Sequence, residues 1–281
     1  MKRIKSIFKF IIYPFLPILY LIKDSFPTGQ PLNIIKTIYV NFRVLPFNQA
    51  IHFPIYIYRG VKIYKLGNIS INSDRVKRGM ISIGEQYFTA YDNAKFANGG
   101  IIIFNGPVNL GNGFTLDNRG VIIFKGFNRL GPGITFIIRD KLEFGEYSAL
   151  GFRCFLMDSD DHFTINCNTL EIGRNKKPII IGRRNWIANS TYIKKGTITP
   201  DYTIVASANS LLSKDYSGIE PYSVLGGIPA KKIGSGIRRI YNFKEEARIN
   251  KYFRDNPDID IYIPNIRPEG VDEYCTSNFL D

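Results

Sequence analysis

Three consecutive stretches decide the fold: GIIIFNGPVNLGNGFTLDNR from Gly100, GVIIFKGFNRLGPGITFIIR from Gly120 and DKLEFGEYSALGFRCFLMDS from Asp140. They align without a gap, and bulky apolar residues recur in the same columns: Ile102, Ile122 and Leu142; Phe104, Phe124 and Phe144; Leu110, Leu130 and Leu150; Leu116, Phe136 and Leu156. Glycine repeats as well, at Gly111, Gly131 and Gly151. A weaker copy, MISIGEQYFTAYDNAKFANG, precedes them from Met80. Downstream the period tightens to six, with Ile181, Ile187, Ile193, Thr199, Val205 and Leu211 equally spaced. An α-helix cannot use that spacing, because six steps of about 100° scatter the apolar residues around its axis. A triangular coil can. Six residues form a side, the first points inward, and three sides close a turn whose backbone pairs with the next turn about 4.8 Å away. A β-sandwich with glycine turns spaces its strands irregularly, and gapless copies argue against it. The chain is therefore expected to be all-β, a parallel β-helix of about seven coils between Ile81 and Leu212.

Outward from the repeats, the two ends differ. The chain has 281 residues, 44% of them hydrophobic, which is enough for a core and excludes general disorder. Its net charge is +13, and residues 1–45 carry seven basic residues against the single acid Asp24. From Phe10 to Ile22 it reads FIIYPFLPILYLI. That run is shorter than the roughly 20 apolar residues a spanning helix needs, and Pro14 and Pro17 would break one. The following KDSFPTGQP is a poor signal-peptidase site. The segment is expected to lie in the boundary of an anionic membrane surface, its bulk in the lipid and its lysines on the headgroups; the alternative is that it packs on the protein body or on another subunit. The plan that results is a basic apolar segment over 1–45, a lead-in or cap over 46–80, the β-helix over 81–235 and a partly helical tail over 236–281.

Cys154, Cys167 and Cys275 form neither a disulfide framework nor a paired metal knuckle, and a reducing intracellular compartment follows. His52 and His162 leave little room for a histidine-rich metal site, and no metal is expected. Basic charge with many aromatics raises nucleic acid as a partner, but no RNP, helix-turn-helix or zinc motif accompanies it, and none is expected.

With the hexads in place, the chain resembles the left-handed β-helix acyltransferases of the hexapeptide-repeat superfamily, over about Ile81 to Ile233. PIIIGRRNWIANSTYIKKG (Pro178–Gly196) is similar to that family's strand pair ending in Trp-Ile-Gly, with Trp186, Ile187 and Ala188 standing there. VASANSLLSKDYSGIEPYSVLGGIPAKKIG (Val205–Gly234) is similar to its last coil and exit. The resemblance is nearest to O-acetyltransferases of surface polysaccharide and sugar modification. It implies a left-handed coil, acetyl-CoA as co-substrate, and a glycan, sugar-nucleotide or lipid-linked sugar as acceptor. Ala188 departs from the family's glycine, as do Ser207 and Asn209 around Ala208, while Ser213 replaces a threonine. The resemblance puts Trp186, Ala188 and Asn189 along the acyl-CoA path, the Asn189 amide at the oxyanion, the Ala208 amide on the pantetheine arm with Ser213 close by, and Lys214, Lys231 and Lys232 at the anionic end of coenzyme A.

His162 lies in FLMDSDDHFT (Phe155–Thr164), 24 residues before Trp186, where the family's catalytic histidine stands. A sugar hydroxyl is a poor nucleophile, and imidazole is the side chain that serves as a free base near neutrality. His162 is thus expected to take the hydroxyl proton during attack on the thioester. Asp160 is expected to orient it, since alternation in an extended stretch would put both on one side. Two other readings share the fold: an N-acetyltransferase of an amino-sugar nucleotide, and a non-catalytic scaffold in which His162 is a turn residue. A calcium loop would need a distant bidentate Glu that DSDD lacks. Finally, the uncharged outward positions Trp186, Tyr192, Ile198, Tyr202 and Ile204 predict that three prisms pack as a homotrimer with sites between subunits. The protein is expected to be cytoplasmic and peripheral at the inner face of the plasma membrane.

Overall fold

The computed structural model describes residues 16–24, 32–85, 93–206 and 209–276. Its strands form three sheets of nine, seven and five strands. From Ile55–Ile57 up to Tyr192–Lys194, each strand pairs in parallel with the one three places away in the chain. Above that point the third side is reduced to single bridges, Ile180 with Ile198 and Ile198 with Asp215, and the other two sides continue the climb. The result is a three-sided left-handed parallel β-helix, as the repeats and the resemblance led us to expect. Seven turns run from Ile55, and the strand Ser223–Gly226 opens an eighth before the chain returns antiparallel through Lys231–Ser235.

The repeat columns are cross-strand partners. Ile102, Ile122 and Leu142 lie in register one above another, as do Phe104, Phe124 and Phe144. Leu116, Phe136 and Leu156 do the same on the second side. The three phenylalanine rings stack inside the prism at 5.3 and 5.2 Å with nearly parallel planes. Interior corners are closed by amides: Asn118 Nδ2 donates to Asn98 Oδ1 at 2.7 Å, and Asn128 Nδ2 to Ser148 Oγ at 2.9 Å. One outer corner places Phe127, Tyr147, Arg184, Tyr202 and Tyr222 at positive φ, a conformation costly for such side chains. Stacking up the corner offsets the cost, with Phe127 on Tyr147 at 4.5 Å, Tyr202 on Tyr222 at 4.7 Å, and Arg184 between the pairs. The tail covers this corner: Arg238 lies 4.7 Å from the Tyr202 ring and pairs with Asp272, while Tyr241 donates to the Asn185 carbonyl. Of the outward positions expected to be bare, Trp186 and Tyr192 are exposed, but Ile204 is buried and Tyr202 is covered from within the chain.

The stack starts at Ile55, inside the stretch read as a lead-in, because Ile55 pairs with Ile81. That first turn spans 26 residues and the next, Ile81 to Val108, spans 27, so neither keeps the 20-residue period. The helix Ile34–Val44 closes this end. Asn41 acts as the missing strand partner, donating to the Ile55 carbonyl at 2.7 Å and accepting its N–H at 3.1 Å, which leaves the edge strand capped. The helix Leu16–Asp24 buries Leu21 against Leu32, Phe53 and Tyr56, and Asp24 accepts from Tyr56 and Arg78. Part of the amino-terminal segment therefore packs on the body; residues 1–15 and 25–31 lie outside the described residues. No helix among the described residues is long and apolar enough to cross a membrane. The tail is partly helical, at Phe243–Asp255 and Val271–Cys275.

Gly120 sits where two turns approach closely: a Cβ there would lie 2.2 Å from the Asp140 carbonyl oxygen. Backbone on the facing turn cannot yield, so Gly120→Ala should cost about 2–4 kcal/mol. Chemical denaturation of the purified variant measures it, and an unchanged midpoint would contradict this packing.

Candidate active site

Residues 158–178 leave the fifth turn as an arm between the strands Phe155–Met157 and Ile179–Ile181. The arm is a hairpin, with antiparallel bridges joining Ser159 to Lys176 and Ile165 to Ile172. Asp158 pins its base. Its buried carboxylate accepts the N–H groups of Arg139 at 2.7 Å and Asp140 at 2.8 Å, which belong to the corner one turn below. Burial pushes the Asp158 carboxyl above the usual range, against the pull of those amides. The next two acids are also engaged: Asp160 pairs with Lys195 and Lys194, and Asp161 with Arg139 at 3.3 Å.

His162 stands just beyond these acids, exposed and without a hydrogen-bond partner among the described residues. Asp161 has φ 57°, in the left-handed region, and this breaks the extended alternation on which the pairing of Asp160 with His162 depended. The structure brings Asp160 to the lysines of the sixth turn instead. Beyond His162 the arm exposes Phe163, Ile165, Leu170 and Ile172.

A separate cleft of about 460 Å³ opens on the outer face of the first side. Arg129, Ala149 and Trp186 are successive register partners there, and the small Ala149 leaves a gap between its two large neighbours. The tail roofs this gap, with the Arg239 guanidinium 5.2 Å from the Trp186 ring and the Phe243 ring 4.3 Å from the Arg129 guanidinium. Phe152 and Asn189 close one end, where Asn189 Oδ1 accepts from Phe152 N at 3.2 Å. A Cβ on Gly151 would lie 2.1 Å from that same oxygen, so the repeated glycine has a steric reason here.

The remaining expected residues are dispersed. Ala188 is spent within the coil, its N–H on Val205 and its carbonyl on Cys154 and Thr191. Ser213 and Lys214 are exposed on the seventh turn, with Lys214 Nζ 5.4 Å from the Tyr216 ring. Lys231 and Lys232 lie on the return strand, where Lys232 pairs with Glu220. Ala208 lies outside the described residues. Trp186 and Asn189 thus share the cleft, while His162 is carried on an arm from the opposite corner and the lysines sit higher on the prism. Sequence reasoning missed Arg129, Phe152, Arg239 and Phe243. Arg129 was visible as an outward position of a repeat column, whereas Arg239 and Phe243 come from a tail that carries no repeat. Cys154 is buried, which pushes its thiol up to about 11 and leaves little thiolate for nucleophilic chemistry.

No family model matches the chain, and no curated protein matches it. Among solved structures it is similar to the polySia specific acetyltransferase NeuO, at 15% identity over 73% of this chain and 89% of that one, with a TM-score of 0.40. It is similar also to the polysialic acid O-acetyltransferase OatWY, at 21% identity over 69% and 96% and a TM-score of 0.35. A third similar structure is AntD, an N-acyltransferase from Bacillus cereus in complex with dTDP and 3-hydroxybutyryl-CoA, at 12% identity over 73% and 89% and a TM-score of 0.39.

Asp158→Ala would strand two backbone N–H groups and should cost about 2–4 kcal/mol. The loss should concentrate in the arm, so limited proteolysis should cut within residues 159–177 before the coil opens. Cleavage no faster than in the parent would show that the arm does not depend on this anchor.

Proposed function

We propose that the protein is an acyltransferase that moves an acetyl group from acetyl-CoA to a hydroxyl of a glycan or glycan precursor, acting at the inner face of the plasma membrane. The observation that carries the reading is the state of His162. Each acid around it is already engaged, by backbone amides, lysines or Arg139, while its imidazole is exposed and unclaimed. An anchored arm that presents a single uncommitted base suits general-base catalysis, where position matters as much as proton affinity. The Trp-Ile and last-coil motifs add the resemblance to acyl-CoA enzymes.

In this mechanism His162 accepts the acceptor's hydroxyl proton as that oxygen forms a bond to the thioester carbonyl carbon. The negative charge collects on the carbonyl oxygen, for which the Asn189 amide is the proposed donor. Collapse breaks the carbon–sulfur bond, and the imidazolium returns its proton to the departing thiolate. The products are an acetyl ester and free coenzyme A, with no acyl-enzyme. Lys214, Lys231 and Lys232 are proposed to face the phosphates of coenzyme A.

The separation of His162 from the Trp186 cleft supports a homotrimer. Within one chain the arm leaves at the corner opposite the first side, so a site that combines both draws the arm of one copy toward a neighbouring prism. The exposed apolar tip of the arm and the exposed Tyr192 are surfaces that such packing would cover.

His162→Ala, an exposed change, should leave the unfolding midpoint unaltered and lower acceptor-dependent thiol release by about a hundredfold or more. Radiolabelled acetyl-CoA offered with sugar hydroxyl and amino acceptors reads both the rate and the acceptor class; near-parental thiol release would exclude the assignment. Light scattering should report three chains per particle, and a fully active monomer would refute a shared site.

A further inference from the structure

The end of the prism below the first turn carries a second surface that acyl transfer does not use. On the helix Ile34–Val44, Thr37, Val40 and Asn41 face the coil. On its far side Ile35, Tyr39 and Phe42 fall within about 60° of one another at 100° per residue. They are 81%, 56% and 45% exposed, and Phe47, 73% exposed, continues the stripe with its ring 6.0 Å from that of Phe42. Four large apolar or aromatic side chains standing together in water at the end of a folded domain mark a contact surface.

Charge identifies the partner. From Ser25 to Ser73 the sequence holds no Asp or Glu, yet five basic residues: Lys36, Arg43, Arg59, Lys62 and Lys65. Four of these, all except Arg59, line a groove of about 760 Å³ between the helix and the strand Val61–Lys65, together with Tyr39 and Tyr64. The apolar stripe and the cationic groove therefore adjoin along one flank of the helix. Bulky rings beside acid-free basic charge match the boundary of an anionic bilayer, where the rings enter the acyl region and the cations meet phosphates. A protein partner with acidic side chains would answer the groove but would leave Ile35 and Phe47 without a reason.

We infer that the outer face of the helix Ile34–Val44, with Phe47 and the Lys62–Lys65 edge of the first turn, is a docking face for anionic phospholipid. It stands on described residues and is distinct from the apolar run Phe10–Ile22. The prism then stands end-on to the membrane. The arm bearing His162 leaves four turns higher, so its root stands about 19 Å above the first turn, at about 4.8 Å per turn.

Co-flotation of the full chain tests this without any transferase assay, so its failure and that of the proposed reaction are separable. The parent should bind vesicles of equimolar phosphatidylcholine and phosphatidylglycerol at least about tenfold more tightly than vesicles of phosphatidylcholine alone, and raised salt should release it. Lys62→Glu/Lys65→Glu and, separately, Ile35→Ser/Phe47→Ser should each weaken binding to the anionic vesicles by about tenfold or more, with the amino-terminal segment intact. Should a double variant fail to fold, the single variants Lys65→Glu and Phe47→Ser, read against the parent on the same vesicles, still decide. Equal binding to both vesicle types, binding unchanged by the substitutions, or a fall in particle mass caused by Ile35→Ser/Phe47→Ser would each overturn the inference, the last by making this face a subunit contact.

Discussion

Everything in this molecule depends on each turn of the coil lying directly upon the previous one at the spacing of a parallel ladder. That contact fixes what every repeat position can be. Inward columns must hold side chains that stack on copies of themselves, as the Phe104, Phe124 and Phe144 rings do. Interior corner positions must find a polar partner on the neighbouring turn, as Asn98 and Asn118 do. At the tightest corners no side chain fits, and Gly100 and Gly120 meet the carbonyl of the next turn. A globular core can repack around a misfit; a stack of identical turns has no slack along its axis, because each turn is both floor and ceiling.

The same constraint says where variation is allowed. A residue inserted within a side must be absorbed by a bulge, as at Tyr64 and Gly84, whereas one inserted at a corner loops out and lets the chain rejoin the ladder. The long departures obey this rule. The arm 158–178 leaves after Met157 and returns in register, since Leu142 pairs with Ile179. The extra residues of the first turn that follow Ile71 also sit between strands. Chemistry that needs irregular backbone is thereby confined to corners and ends, which is where His162, the tail and the capping helix are found.

This explains how unevenly the sequence could be read. The columns containing Phe124, Leu130 and Phe136 were legible because stacking imposes the same residue type at a fixed interval, and they became register partners as expected. His162 stood out as one of two histidines, beside a run of acids. The surroundings of His162 were not legible: Asp161 takes a left-handed φ that interrupts the extended alternation, and no periodicity reports one left-handed residue. The cleft was half legible. Trp186 and Asn189 belong to the repeat, but Arg239 and Phe243 reach it from a tail whose docking is set by the aromatic corner at Tyr147 and Tyr202. The first turn was hidden because its corner is long, although Asn41 and Thr37 already satisfy its edge as a strand would.

A prism of this kind is also a ruler. Its lateral hydrogen bonds run along the axis, so the separation between two features is set by the number of turns between them and changes little with side-chain motion. The capping helix lies below the first turn and the histidine arm leaves the fifth. Between them the surface changes character, from the exposed cations Arg43, Lys62 and Lys65 to paired charges such as Lys141 with Glu143 and Arg139 with Asp117. Paired charges bring no net attraction to a lipid surface, while unpaired ones orient the whole rigid body toward it. Three copies packed side by side would point the same end the same way, because prisms related by a three-fold axis along their length stay parallel. Weak attraction at each end would then act three times over, and a surface contact too modest to hold one chain could hold the assembly.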